Sequence, residues 1–172
     1  MSNRHRTSGR PRGVALIEVL IASTITAVLF VAAVSSAAAA RVTRQKAFDA
    51  TNGHMLGAAL MAELNERAYC EPGTVDNATT SRGRDFGELP GRRDLFDDVD
   101  DYHDYQSPSP TLLDGTVLAG PQWSWSVHID RLSNLNGTAS PSETGLRRVR
   151  VTVMKGTRIV ARIDQLRSRA AG

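Results

Sequence analysis

The residues with the clearest capacity for chemistry are aspartates crowded between positions 94 and 104. They surround Phe96, Val99 and Tyr102 in the chain, and carboxylates are the hard oxygen ligands that Ca²⁺ prefers. Their spacing lacks the Asp-x-Asp-x-Asp-Gly pattern of an EF-hand loop, and several arginines nearby could neutralise them instead. The sequence therefore favours a solvated acidic loop and leaves a calcium site as the alternative. The proposed calcium ligands are Asp97, Asp98, Asp100 and Asp101, and the nearby arginines are Arg82, Arg84, Arg92 and Arg93.

Other catalytic or metal-binding patterns do not emerge from the chain. His54, His103 and His128 are scattered and lack the spacing of a zinc site. No nucleophile and base pair, and no glycine-rich phosphate loop, can be recognised, so we predict neither enzymatic activity nor an organic cofactor. Cys70 is the only cysteine, so an intramolecular disulfide is impossible and we expect an inert or partly buried thiol.

Glu18 is the only charged residue in an apolar run at positions 14–40. About 20 apolar residues span a bilayer as a helix, so this run predicts a transmembrane helix. An ionisable side chain at membrane depth costs roughly 2.5 kcal/mol or more and usually marks a function. Glu18 therefore requires a specific explanation.

Four arginines, and no acidic residue, precede the apolar run: Arg4, Arg6, Arg10 and Arg12. By the positive-inside rule they predict a cytoplasmic N-terminus and a domain on the opposite side of the membrane. Without residues 1–13 the chain has 17 basic and 18 acidic residues, a net charge of −1. The basic isoelectric point is therefore no indication of a nucleic-acid partner.

Residues 10–22 read Arg-Pro-Arg-Gly-Val-Ala-Leu-Ile-Glu-Val-Leu-Ile-Ala. A basic leader that ends in Gly13, followed by an apolar helix with Glu18 as its fifth residue, resembles the cleavage and methylation site of type IV prepilins. The resemblance implies that a prepilin peptidase cuts after Gly13 and methylates the new N-terminus at Val14. It also implies that Glu18 pairs with the N-terminal ammonium of a neighbouring subunit. Val14 and Ala15 depart from the phenylalanine or methionine and the threonine that are commonest there.

The resemblance implies a minor pilin or pseudopilin, a subunit of a type IV pilus or of a type II secretion pseudopilus. Its expected partners are the prepilin peptidase, other pilin or pseudopilin subunits, the inner-membrane assembly platform and membrane lipid. The expected location is the bacterial inner membrane, with the C-terminal domain in the periplasm, and then the filament. The string at residues 96–102, Phe-Asp-Asp-Val-Asp-Asp-Tyr, also resembles a segment of some minor pilins of the mannose-sensitive haemagglutinin pilus type.

Two alternatives from other classes remain open at this point. The four alanines at 37–40 fit a signal peptidase site, which would release a secreted binding domain. However, the apolar run is much longer than the roughly 7 to 15 residues of a signal h-region. The second alternative is a membrane-tethered extracytoplasmic binding domain that never polymerises.

The rest of the chain predicts the elements that follow the leader (1–13) and the membrane helix (14–40). Apolar residues at helical spacing predict an amphipathic continuation of the helix at 41–70, in which Gly53 and Gly57 permit a bend. Residues 71–122 are rich in turn formers and read as long variable loops. The apolar positions of the amphipathic stripe are Phe48, Met55, Leu56, Ala59, Leu60 and Leu64.

An antiparallel sheet is predicted at 123–172. Apolar and polar residues alternate at 123–130, 148–153 and 159–163, and Lys155-Gly156 supplies a turn between the last two segments. Three strands facing a long helix define an α+β fold. The pilin resemblance implies the same architecture.

Overall fold

The computed structural model describes residues 12–70, 83–84, 87–89 and 91–169, with side chains from residue 16 onward. The chain divides into two compact units, residues 1–46 and 47–172. The predicted leader lies almost entirely outside the described residues.

The described part of the first unit belongs to helix α1, which spans Arg12–Asn65. Every side chain described between residues 16 and 46 is exposed. Leu16 is 72% exposed and Phe30 is 70% exposed, so the most apolar part of the chain contributes nothing to a core of its own. This part of the helix is long and apolar enough to cross a membrane.

The second unit contains the end of α1 and a four-stranded antiparallel sheet with the order β1-β2-β3-β4. The α+β fold is therefore confirmed, with one strand more than the sequence predicted. Gly156 and Thr157 form the tight turn between the last two strands. Gly156 has a φ of 60°, a backbone conformation that glycine adopts without steric cost. The strands are β1 Gln106–Ser107, β2 Trp123–Arg131, β3 Leu146–Lys155 and β4 Arg158–Ser168.

The core of the second unit lies between α1 and one face of the sheet. Strand alternation places Val127 opposite Val151, and Val151 opposite Ile163, on that face. The described part of the helix contributes four buried apolar side chains: Leu56, Leu60, Met61 and Leu64. The predicted stripe was wrong at Phe48 and Met55, which are 62% and 66% exposed, because the buried face is centred on the positions that follow them.

Gly53 and Gly57 allow the helix to approach the sheet closely. Helix α1 continues through both residues. A Cβ atom on Gly53 would lie 2.7 Å from a methyl carbon of Val160, and one on Gly57 would lie 3.0 Å from the terminal methyl of Ile163. Glycine weakens an isolated helix. At these two positions, however, it has no side chain that would hold α1 away from β4.

The described part of the predicted loop region, 71–122, contains more structure than expected. Two 3₁₀ helices, Arg93–Leu95 and Asp100–Tyr102, precede β1. Phe96 meets Tyr102 edge to face at a ring distance of 5.0 Å, and Phe96 also contacts Tyr105. These rings belong to the core, so the segment 93–105 is packed rather than free.

Candidate functional site

The two residues of the predicted processing site, Gly13 and Val14, lie within the first turn of α1. Only their backbone is described. The structure therefore places them on the same helix as Glu18, one turn before it, and does not describe the predicted cleavage site further.

Glu18 is exposed on the surface of α1. Its neighbours along a shallow apolar surface of the helix are Ile17, Ile21, Ala22 and Ile25. An ionised carboxylate in such surroundings is favourable in water or beside a cation, and costly in hydrocarbon. The arrangement can therefore accept an ammonium group from another chain.

Three of the six aspartates in the acidic segment, residues 94–104, are buried, which corrects the prediction of a solvated loop at those positions. Asp98, Asp100 and Asp101 are 4%, 7% and 1% exposed, whereas Asp97 is exposed. The reason is that Phe96, Val99 and Tyr102 enter the core between them and carry the backbone inward. Carboxylates buried in this way require partners.

The main cationic partner is Arg147 from β3, whose side chain is 0% exposed. Its guanidinium lies 3.0 Å from Asp100 and 3.2 Å from Glu143, and it stacks over the ring of Tyr69 at 4.2 Å. Glu143 also accepts a hydrogen bond from the Tyr69 hydroxyl at 2.8 Å. A buried arginine thus connects the acidic segment, the sheet and the residues after α1.

Two of the arginines that the sequence suggested as neutralising partners differ in their roles. Arg92 acts as suggested and forms an exposed ion pair with Asp94 of the acidic segment at 2.7 Å. Arg93 is buried and pairs with Glu63 of α1 at 2.8 Å, and the second oxygen of Glu63 accepts a bond from the Tyr102 hydroxyl at 2.7 Å. Arg93 therefore fastens the first 3₁₀ helix to α1.

Asp98 and Asp101 stabilise the turn between them through backbone hydrogen bonds. An oxygen of Asp101 accepts bonds from the amides of Asp97 and Asp98, at 3.0 and 3.1 Å, and Asp98 accepts one from the amide of Asp101. Burial, followed by the charge of Asp100, raises the pKa of Asp98 to about 6. Burial, followed by a hydrogen bond with Glu88, raises the pKa of Asp101 to about 8.

Only part of the predicted calcium site is brought together. Oxygen atoms of Glu88, Asp97 and Asp101 lie within 4.8 Å of one another, so these three groups have the donor chemistry for a hard cation. Asp100 instead pairs with Arg147, and Asp98 accepts a hydrogen bond from the backbone amide of Asp101. The four aspartates therefore do not lie together as one set of calcium ligands. Glu88 was missed because it lies nine positions before Asp97 in a segment without periodicity. Calcium binding stays a prediction.

The histidines were predicted to be scattered, but the structure brings two of them together. The rings of His103 and His128 are 5.0 Å apart, and Asp104 lies 2.8 Å from Nδ1 of His128. Nδ1 of His103 accepts a hydrogen bond from the backbone amide of Ile129 at 3.2 Å, so the neutral ring carries its proton on Nε2. Nε2 of His103 is the nitrogen that faces Asp104. Because Nε2 carries the proton, it has no lone pair for a metal ion, which disfavours a metal site at this histidine pair.

Cys70 is partly buried, as predicted. Its sulfur lies 3.8 Å from a guanidinium nitrogen of Arg169, close to the end of the described chain.

Comparison with known proteins adds no relatives. No protein-family model, no curated protein and no solved structure matches the sequence.

Proposed function

We propose that the chain is a minor pilin or pseudopilin, a structural subunit that is anchored by its N-terminal helix and assembled into a type IV pilus or a type II secretion pseudopilus. The single observation that supports this most is the combination of Gly13, Val14 and Glu18 with an apolar helix that has no covering layer within its own unit. Such a helix needs either lipid or other helices around it.

The role that we assign to Glu18 follows from its surroundings. On a single subunit the carboxylate lies near one end of the apolar run, from where it can reach interfacial water. Among packed helices it gains from the methylated ammonium of a neighbour at Val14, but only if the two chains have the correct axial offset. The ion pair thus favours one axial offset between neighbouring chains. It adds little net stability, because the desolvation of both charges offsets much of their attraction.

Processing is the first test of this proposal. Intact-mass and N-terminal analysis of the protein from its native membrane should show that residues 1–13 are absent and that Val14 is methylated. Gly13→Leu should leave the full-length chain in the membrane, because only the cleavage step is lost. A mature chain that begins at Arg41 would contradict the proposal and favour the secreted domain.

Assembly is the second test. Glu18→Ala should be processed and inserted normally, because the substitution adds hydrophobicity to the span, yet its incorporation into sheared filaments should fall at least about tenfold. Glu18→Asp, which keeps the charge, serves as the matched control and should retain more incorporation than alanine. The amounts of both variants in the membrane and in sheared filaments are measured by immunoblot. Equal incorporation of Glu18→Ala and the unmodified chain would show that the ion pair is dispensable.

A further inference from the structure

Three cations follow directly after the apolar part of α1: Arg41, Arg44 and Lys46. All three lie within the helix and all are exposed. At 100° per residue they point in different directions around the helix axis, and they span only about 7.5 Å along it. Arg41, Arg44 and Lys46 therefore form a cationic collar around the helix.

The charge of the collar is not compensated by nearby acidic residues in the chain. Between Glu18 and Asp49 the sequence has no aspartate or glutamate. Asp49, the first acidic residue after the collar, is 4% exposed and accepts bonds from Lys155 at 2.8 Å and from Arg158 at 2.7 Å. Its carboxylate is thus already used by two cations of the sheet.

The distance from Glu18 to the collar matches the apolar thickness of a bilayer. The residues between them, 19–40, carry no charge and extend about 33 Å at 1.5 Å per residue. A hydrocarbon layer is about 30 Å thick. When this stretch spans the layer, Glu18 lies at one interface and the collar lies among the headgroups at the other.

We propose that the collar binds the phosphates of anionic phospholipids and thereby fixes the depth of the helix in the membrane. Arginine and lysine side chains extend from a helix end toward phosphate oxygens, to which they donate charge-assisted hydrogen bonds. Three cations on different sides of one helix suit several lipid molecules arranged around it better than a single compact ligand. This inference rests on the membrane anchoring in the proposed function.

Lipid binding can be measured on the full chain by native mass spectrometry in detergent. The probes are phosphatidylglycerol and phosphatidylcholine with identical acyl chains, added in equal amounts, so that only the headgroup charge differs. Each cation near an anionic surface favours binding by about fivefold. We therefore expect bound phosphatidylglycerol to exceed phosphatidylcholine by at least about tenfold. This ratio should fall at least about fivefold in the triple variant Arg41→Gln/Arg44→Gln/Lys46→Gln, in which the arginines of the leader remain.

Two controls separate a local collar from overall charge. The triple variant Arg84→Gln/Arg92→Gln/Arg162→Gln removes the same charge from exposed positions of the second unit and should keep the preference. Arg41→Lys/Arg44→Lys keeps the charge of the collar and should keep it too. An unchanged ratio in the collar variant, or an equal loss in the charge-matched control, would overturn the proposal.

Two further measurements identify the source of the phosphate and test anchoring separately. Millimolar inorganic phosphate should not displace bound phosphatidylglycerol, and displacement would indicate a free-anion site instead. Alkaline carbonate should leave the unmodified chain and both triple variants in vesicles. Extraction of the unmodified chain would refute the proposed anchoring itself, whereas retention without a headgroup preference would refute only the lipid collar.

Discussion

At the scale of single residues, Asp101 links burial to protonation. Asp101 is 1% exposed, and the side chain of Glu88 shares a hydrogen bond with it. Two carboxyl groups that share a hydrogen bond hold one proton between them, and a metal ion could take the place of that proton. Two buried arginines beside the segment are committed to other carboxylates, Arg147 to Asp100 and Glu143, and Arg93 to Glu63.

The raised pKa of Asp101 predicts the sign of a pH effect. The folded state holds this proton up to about pH 8, whereas the ordinary pKa of an aspartate is 3.8. The contribution to folding stability is therefore fully present below about pH 4 and is lost as the pH rises to about 8. Asp98, with a pKa of about 6, acts in the same direction over the lower part of this range.

Asp101→Asn imitates the protonated side chain, because its amide oxygen can still accept from the backbone and its nitrogen can donate to Glu88. Relative to the unmodified domain, the variant should gain stability as the pH rises from 4 to 8, by up to about 1.4 kcal/mol per pH unit. Urea unfolding followed by tryptophan fluorescence at several pH values measures this difference.

The control for that experiment is Asp94→Asn. Asp94 is exposed, and its hydrogen bond with Arg92 lowers its pKa, so no gain with rising pH is expected. A loss of stability in Asp101→Asn at pH 8 would contradict a buried proton. If calcium binds, millimolar Ca²⁺ should raise the melting temperature of the unmodified domain at pH 8 and leave that of Asp101→Asn unchanged.

At the scale of secondary-structure elements, the contact between α1 and β4 depends on Gly53. Alanine would favour the helix by about 1 kcal/mol, but its Cβ would overlap the branched side chain of Val160. Overpacking of this kind costs about 1 to 3 kcal/mol. The packing cost is therefore expected to outweigh the gain in helix propensity.

Gly53→Ala should lower the stability of the domain, and adding Val160→Ala should restore most of the loss, because it removes the methyl group 2.7 Å from the new Cβ. The double-mutant cycle is measured by chemical denaturation. Ala58→Gly, at an exposed position of the same helix, calibrates the propensity term alone. A coupling energy near zero would show that the helix shifts away from the sheet without cost.

The elements also show what the sequence could and could not predict. Alternation was sufficient for β2 and β3, because each of them has one face toward the core. In β4 it holds for Ala161 and Ile163 but fails at Ile159, which is 50% exposed, because the register shifts beside it. Strand β1 has only two residues and thus no measurable period. The burial of the acidic segment depends on Arg147 and Glu143, which lie more than 40 positions away in the chain. Local patterns contain no information about such pairings.

At the scale of the whole molecule, the two units differ in what they need from their surroundings. The second unit has a buried core of its own that draws only on residues from Leu56 onward. The first unit has no buried side chain among residues 16–46. Removing most of the first unit should therefore cost the second unit no core contact.

A fragment that begins at Arg41 should fold as a soluble domain with a single cooperative unfolding transition. A second fragment that begins at Asn52 tests the boundary, because it lacks Asp49, the buried carboxylate that binds Lys155 and Arg158 across the β3–β4 turn. Loss of that partner leaves two cations of the sheet uncompensated, and breaking a buried pair costs about 3 to 5 kcal/mol. Since one partner here, Arg158, is half-exposed, we expect a smaller loss of about 1 to 3 kcal/mol.

Near-ultraviolet circular dichroism and urea unfolding compare the two fragments. Asp49→Asn in the longer fragment separates the loss of the ion pair from the loss of about three helical turns, residues 41–51. If the longer fragment remained unfolded, the apolar helix would have to contribute to the stability of the domain, and the division into two independent units would be wrong. If both fragments were equally stable, the ion pairs of Asp49 would add nothing measurable. Folding of the longer fragment would mean that the apolar helix is free to serve only the membrane or neighbouring subunits.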